Sequence, residues 1–235
     1  MNDSVVSRRR QTPNRSGRKG GRAKLNAIYN ILRNRICFFE IPPGSILRES
    51  ELARQFQTSR TPIRQILQRL EIEGLVEVRD GVGNLVTPVD YSALSDVYRL
   101  RLRVAELVGD FTPRQPSADA VKQISILLAS ANLLRSGKDL RQFWRIENDR
   151  HIFINEMISN APLRALHDNL YFQTARVWYG VVDKMWPEAV DGLCRELELI
   201  KNCVEVSDIR GMGYVNRNMI AEGMFRLKRH FARNK

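Results

Sequence analysis

Cysteine and histidine are scarce, three of each in 235 residues. Cys37, Cys194 and Cys203 are widely spaced, cannot all pair and form no CxxC, so the chain spells neither a disulfide framework nor a zinc or redox motif. They read as small buried hydrophobes in a reducing cytosol. No apolar run approaches the ~20 residues of a membrane span. The arginines of MNDSVVSRRRQTPNRS have no apolar stretch behind them, so no secretory signal is expected and the location reads as cytoplasmic. A phosphate-binding glycine loop, a paired nucleophile and base and a complete metal set are all missing, which argues against an enzyme.

What the chain does have is an excess of positive charge, 38 Lys and Arg against 26 Asp and Glu, or +12. It is concentrated at the start. Residues 1–24 hold Arg8, Arg9, Arg10, Arg15, Arg18, Lys19, Arg22 and Lys24 against Asp3, a net +7 that leaves only +5 for the remainder. A polar segment without apolar periodicity is expected to be disordered. Beside a DNA-binding module such an arm neutralises phosphates or enters a minor groove; otherwise it is a solvated tail.

The apolar fraction of 43% supplies a sizeable core. Leu25, Ile28, Leu32 and Ile36 form one stripe, which predicts a helix over 25–39, stopped by Ile41-Pro42-Pro43-Gly44. A short helix follows over 51–55. Gln57-Thr58-Ser59 make a turn, and a third helix runs from about Arg60 to Glu73, with Ser59 or Thr61 as N-cap and Pro62 in the first turn. Gly74 ends it. Two β-runs, 76–78 and 85–87, flank the turn Asp80-Gly81-Val82-Gly83-Asn84. On a helical wheel Ile63, Ile66, Leu67 and Leu70 share one face of the third helix. Thr61, Arg64, Gln65 and Gln68 share the other, with Arg60 at its border. Arginine and glutamine make bidentate contacts to guanine and adenine edges, and the N-terminal turns of such a helix are where base edges are met. Taken alone, the same face is also that of any solvated amphipathic helix. A hairpin with glycines at its tip can lay backbone against phosphate, and a free-standing hairpin has little other reason to exist. Residues 25–88 hold eight basic against seven acidic residues, so specificity should come from positioned arginines rather than a broad field.

These residues resemble the winged helix-turn-helix of the GntR family. The match runs through Pro42-Pro43-Gly44-Ser45-Ile46-Leu47, Glu51-Leu52-Ala53, Phe56, Ser59-Arg60-Thr61-Pro62-Ile63-Arg64 and Glu73-Gly74-Leu75-Val76. The resemblance implies that Arg60 and Arg64 read bases, with Ser59, Thr61 and Gln68 beside them, that Arg48 and Ser50 hold phosphate or adjacent bases, and that Gly83 sits at the wing tip. Gln57 replaces the usual turn glycine, a strain of up to ~1 kcal/mol if that residue needs positive φ. Val82 stands where many members carry an arginine.

From Tyr91 onward only helical patterns appear, broken near 112–116, 136–137, 160–162, 186–187 and 207–208. That spacing predicts roughly six helices of about 18–22 residues in an antiparallel bundle. The expected fold is mainly α: a winged helix-turn-helix of three helices plus a β-hairpin wing, followed by an all-α antiparallel bundle. The expected domains are the arm (1–24), the reader (25–89) and the bundle (90–235). Asp96-Val97-Tyr98-Arg99-Leu100-Arg101 and the pattern after it resemble the FadR subfamily with its FCD-type effector domain. That resemblance implies a central pocket, often holding a divalent metal that helps bind a small carboxylate. Glu147 and His151 have the i, i+4 spacing of two ligands and Asn160 follows, but Leu197 and Met219 stand where histidines are expected. His167 is one further candidate. The pair therefore reads as an incomplete remnant, with a hydrogen-bonded core histidine as the plainer account of His151, and a divalent metal is not expected. Arg101 matches a pocket-facing position and could pair with a carboxylate. Tyr171, Arg176 and Trp178 share a helix that could border the cavity, or they are ordinary core and surface residues; Trp144, Trp178 and Trp186 fit packing or a dimer face.

The sequence thus points to a homodimeric, sequence-specific regulator of transcription, a repressor on an inverted-repeat operator in double-stranded DNA, with a bundle that senses a small carboxylate or other metabolite. The expected switch is a rotation of the readers about the linker near Pro88–Tyr91. A regulator or architectural protein that has lost sensing is the alternative. An enzyme using the bundle pocket would rest on Glu147 and His151 alone.

Overall fold

The computed structural model describes residues 15–89, 94–111 and 113–233. It is mainly helical, with one small antiparallel sheet near the N-terminus and a helical bundle behind it. The reader comprises α1 (Arg15–Cys37), β1 (Ile46–Leu47), α2 (Glu49–Gln55), α3 (Arg60–Ile72), β2 (Val76–Arg79) and β3 (Gly83–Val86). The stripe expected on α1 is buried at Ile28, Leu32 and Ile36, and meets Ile63, Ile66, Leu67 and Leu70 of α3. Each such side chain contributes ~1.5–3 kcal/mol of burial, which is ample to hold short helices that would not form alone.

Two boundaries differ from the sequence reading. The arm was expected to run disordered to residue 24, yet α1 already begins at Arg15, so only 1–14 lie outside the described residues. The extra turns carry no apolar stripe; at their end Lys24 Nζ donates to the Gln57 carbonyl at 3.0 Å, tying α1 to the turn before α3. The wing is not a free-standing hairpin either. β1 pairs with β3, with Ile46 opposite Leu85, giving a three-stranded sheet of order β1-β3-β2. In that register Arg79 faces Gly83, so the tip is Asp80-Gly81-Val82 and Gly83 is the first residue of the returning strand.

Turn chemistry explains the ends of α2 and α3. Gly74 takes φ +72°, and Leu75 N–H donates back to the Leu70 carbonyl at 2.9 Å, an α-helical stop that glycine allows without strain. Gln57 adopts φ +47°, so the strain anticipated from its side chain is present.

Six further helices follow: α4 (Leu94–Glu106), α5 (Ala120–Leu133), α6 (Leu140–Glu156), α7 (Ala161–Val181), α8 (Trp186–Glu205) and α9 (Ile209–Arg233), with a 3-10 turn at Val182–Met185 between α7 and α8. Their lengths run from 13 to 25 residues, a wider spread than expected. Starts follow capping chemistry: Asp139 accepts from Gln142 N–H and Asn160 from Leu163 N–H, both at 2.9 Å. No helix among the described residues is long and apolar enough to cross a membrane.

Reader and bundle are not beads on a string. Trp144, Tyr171, Phe172 and Ala175 of the bundle belong to the same buried cluster as the reader's core. Phe38, just after α1, meets Trp144 edge-on at 4.4 Å. Arg176 donates to the Thr87 hydroxyl at 2.9 Å and the Thr87 carbonyl at 2.6 Å, fastening the chain where it leaves the wing.

Candidate DNA-reading helix and bundle cavity

α3 is divided as its sequence demands. Ile63, Ile66 and Leu70 are fully buried, while Arg60, Thr61, Arg64, Gln65 and Gln68 are exposed on the opposite side. Ser59 occupies the N-cap without spending its hydroxyl on a cap hydrogen bond. Arg64 is not loose. Its Nε and Nη2 grip both oxygens of Glu49, at 2.8 and 3.0 Å, and the hydrogen bond to Arg64 holds the Glu49 carboxyl below its usual range. Glu49 was not foreseen; it lies at the start of α2 and aims the guanidinium fork. Arg60 carries no ion pair among the described residues, whereas Arg48 is held by Glu51 at 3.2 Å. Ser50 is half-buried beside them. The Arg64–Glu49 pair thus ties the start of α2, beside Arg48 and Ser50, to the exposed face of α3, with Gly83 at the foot of the wing tip.

The bundle encloses a cavity of about 80 Å³ whose lining includes Arg101, Glu147, Arg150, Tyr171, Trp178 and Glu196. Of the three effector residues expected from the sequence, Arg101 and Glu147 line it and His151 does not. Tyr171 and Trp178 do reach it, but Arg176 is turned away to Thr87. Arg150 and Glu196 were missed. Arg150 bridges two carboxylates, Nη2 to Glu147 Oε2 and Nη1 to Glu196 Oε1, both at 2.5 Å. Asn216 adds a donor to Glu196 at 3.1 Å. Burial pushes the Glu196 carboxyl up to about 7, against the pull of Arg150.

His151 sits one layer behind. Its ring stacks on Tyr171 at 3.8 Å and 5°, and Nε2 meets Asp168 Oδ1 at 3.0 Å. Burial drives its pKa down to about 4, so the neutral ring donates Nε2–H to the carboxylate, which fixes the tautomer. His167 is also lowered by burial, and its Nδ1 faces Asn155 Oδ1 at 3.2 Å. Because these folded values lie below that of an unfolded histidine, their stabilisation is complete above about pH 6.5 and is lost as pH falls toward 4. For His151 the loss is about 3 kcal/mol. The urea midpoint should therefore drop steadily between pH 7 and pH 5, and His151→Phe, which keeps the stack, should flatten that slope; an unchanged slope would contradict the assignment.

These residues do not fit a divalent metal. Both Glu147 and Glu196 are committed to Arg150, His151 to Asp168 and His167 to Asn155, and Leu197, where the resemblance expects a histidine, is fully buried apolar surface. Among the described residues no three His, Cys, Asp or Glu converge.

A polar chain leads from this cavity into the reader. Asp168 Oδ2 pairs with Arg33 of α1 at 3.0 Å, and the Arg33 guanidinium lies 3.3 Å over the Phe172 ring. Arg33 Nη1 donates to the Tyr29 hydroxyl at 3.2 Å, and that hydroxyl donates to Glu73 at 2.6 Å. Glu73 is the C-cap of α3 and also accepts from Arg69 at 3.1 Å.

A three-helix module with a sheet-backed wing, joined to a six-helix bundle, defines a winged helix-turn-helix protein with an appended helical domain. Residues 24–86 match the family model described as bacterial regulatory proteins, gntR family. Among curated relatives, the chain is 34% identical over 134 residues to an uncharacterized HTH-type transcriptional regulator in an unstable DNA locus of Streptomyces ambofaciens, covering 56% of this chain and 55% of that one. It is 24% identical over 160 residues to the HTH-type transcriptional repressor RspR of Escherichia coli K12, covering 68% and 70%. The match thus spans only about half the length of the first of these relatives. Among solved structures, E. coli McbR/YncC superposes with a TM-score of 0.68 at 17% identity, over 88% of this chain and 98% of that one. A GntR transcriptional regulator from Rhodococcus sp. RHA1 gives 0.62 at 17%, over 87% and 97%. At these identities the likeness is one of fold, and it extends through the bundle.

Proposed function

We propose that the chain is a sequence-specific DNA-binding regulator of transcription that acts as a homodimeric repressor on an inverted-repeat operator and senses a small metabolite in its bundle. The observation that carries this reading is the α3 face: Arg60, Thr61, Arg64 and Gln68 stand exposed on a helix whose other face is fully buried. Two relatives are named as repressors, RspR and the gluconate operon transcriptional repressor of Bacillus licheniformis, which supports that direction of control. The polar chain from Tyr171 and His151 through Asp168 and Arg33 to Glu73 offers a route by which cavity occupancy biases the reader. Since reader and bundle share a core, the switch is a repacking of that interface.

The test is selection of bound sites from random DNA, which should return a two-fold symmetric motif with half-sites about one helical turn apart. Recovery of no motif would overturn sequence reading. The basic segment adds a separable expectation. Deleting residues 1–14, which leaves α1 whole and removes Arg8, Arg9 and Arg10 from each subunit, should weaken operator and random DNA alike and lower the salt slope of the dimer by up to ~5. An unchanged slope in filter-binding titrations would show that these arginines do not meet phosphate.

A further inference from the structure

A second opening lies where the reader meets the bundle. It is a cleft of about 490 Å³ between the end of α1 and α6, with Tyr179 of α7 at its side. Small-molecule sites commonly span about 300–1,000 Å³. Of its lining, only Trp144 and Tyr179 are shared with the bundle cavity; Arg101, Glu147, Arg150 and Glu196 take no part.

One wall is aromatic. Phe38 stands edge-on to Tyr179 at 5.4 Å, and the Phe39 and Tyr179 rings lie 5.9 Å apart at 30°. Phe39 holds that place in a strained backbone. It follows the last turn of α1 with φ +58°, a conformation that glycine takes readily and a bulky residue rarely. Such strain persists where the surroundings fix it, and it gathers at ligand sites.

A second wall is polar and unsatisfied. Asn34 Oδ1, Asn148 Oδ1 and Trp144 Nε1 are buried without a hydrogen-bond partner, and all three residues line the cleft. Groups left this way cost stability until something pairs with them. At the rim, Arg141 and Arg145 are exposed one turn apart on α6, with no ion pair among the described residues. The acids beside them are engaged elsewhere. Glu40 faces Arg35 at 3.7 Å, and the Asn148 amide supports the Asp149 carboxylate.

We propose that this junction cleft binds an adenine mononucleotide, the purine against Phe39 and Tyr179, its edge on the Asn34 amide and the phosphate on Arg141 and Arg145. Each part follows from general chemistry. Aromatic side chains stack bases, an asparagine amide makes a bidentate pair with adenine, and arginine forks grip phosphate. Bound there, the nucleotide ties α1 to α6 and so joins reader to bundle. The inference goes beyond the proposed function and needs neither DNA reading nor an occupant in the bundle cavity.

AMP is the probe, titrated calorimetrically into the full chain. One site per chain is expected, with GMP and adenosine each weaker by about fivefold or more. Tyr179→Ala should weaken AMP by about 5- to 150-fold, the range of one base–aromatic stack, and Tyr179→Phe should keep it. Arg141→Ala combined with Arg145→Ala should bring AMP down to the affinity of adenosine. Both arginines are exposed, so this variant carries the test if Tyr179→Ala does not fold. The proposal is overturned if AMP gives no saturable binding, or if GMP or adenosine binds as tightly. It also fails if these variants fold and bind AMP as the parent does, which would place the nucleotide on the exposed arginines of α3. Choline saturating the chain while AMP does not would overturn it too, and would assign the aromatic wall to an organic cation.

Discussion

Arg64→Ala should lower the preference for operator over random DNA by about 5- to 150-fold for each half-site, because a bidentate arginine–guanine pair discriminates by about 1–3 kcal/mol. In the proposed dimer both half-sites lose it, so the operator should suffer the product of two such factors while random DNA loses only one charge per subunit. The structure sharpens the expectation. Arg64 is pre-aimed by Glu49 through two hydrogen bonds, and this pair is solvent-exposed on the arginine side, 65%, so exchanging Glu49 for a base edge costs little. Competition binding at fixed salt reads the ratio directly. Equal losses on cognate and random DNA would remove Arg64 from the base readers, and an intact preference would move reading to Arg60 and Gln68.

Asp168→Ala should be the most damaging single change at the reader–bundle junction. It removes the shared partner of Arg33 and His151 and leaves the Arg33 guanidinium, 10% exposed at its side chain, without a counter-charge. Breaking a buried pair in this way costs about 3–5 kcal/mol; the partial exposure of Asp168 places this case at the lower end, about 3 kcal/mol. Arg33→Met with Asp168→Ala should recover part of that loss, since an apolar chain over Phe172 no longer needs an acid. A double-mutant cycle read by urea denaturation tests the coupling, and additive losses in the double variant would show that the two residues do not act together.

Local signals were legible and distant ones were not. The stripe Leu25, Ile28, Leu32, Ile36 and the two-faced α3 could be read from spacing, as could the bundle's breaks, because Asn160-Pro162 and Ser207-Asp208 carry capping and turn chemistry of their own. The start of α1 at Arg15 could not, since residues 15–24 offer no apolar face to bury. β1 is two residues long, too short to show a period, and its partner lies 39 positions away at Leu85. Arg101 was found through its resemblance to a pocket-facing position. Arg150 went unnoticed because only one of its carboxylates, Glu147, is local, and Glu196 joins from two helices further on. The same non-locality hid Glu49 behind Arg64, and put His151 behind the cavity wall instead of on it.

The shared core has a consequence for modularity. Readers of this class look exchangeable in sequence, ending as this one does at a short segment near Thr87. Here, however, Cys37 packs against the Phe172 carbonyl, Phe38 fits against Trp144 and Arg33 lies on the Phe172 ring. A chimera that grafts residues 15–89 onto another bundle would carry an apolar wound and an orphaned arginine unless Trp144, Asp168 and Phe172 travelled with it. In this chain the packing unit is therefore the reader together with the facing strip of α6 and α7, and a change of side chains on the exposed face of α3 disturbs that unit less than an exchange of whole domains.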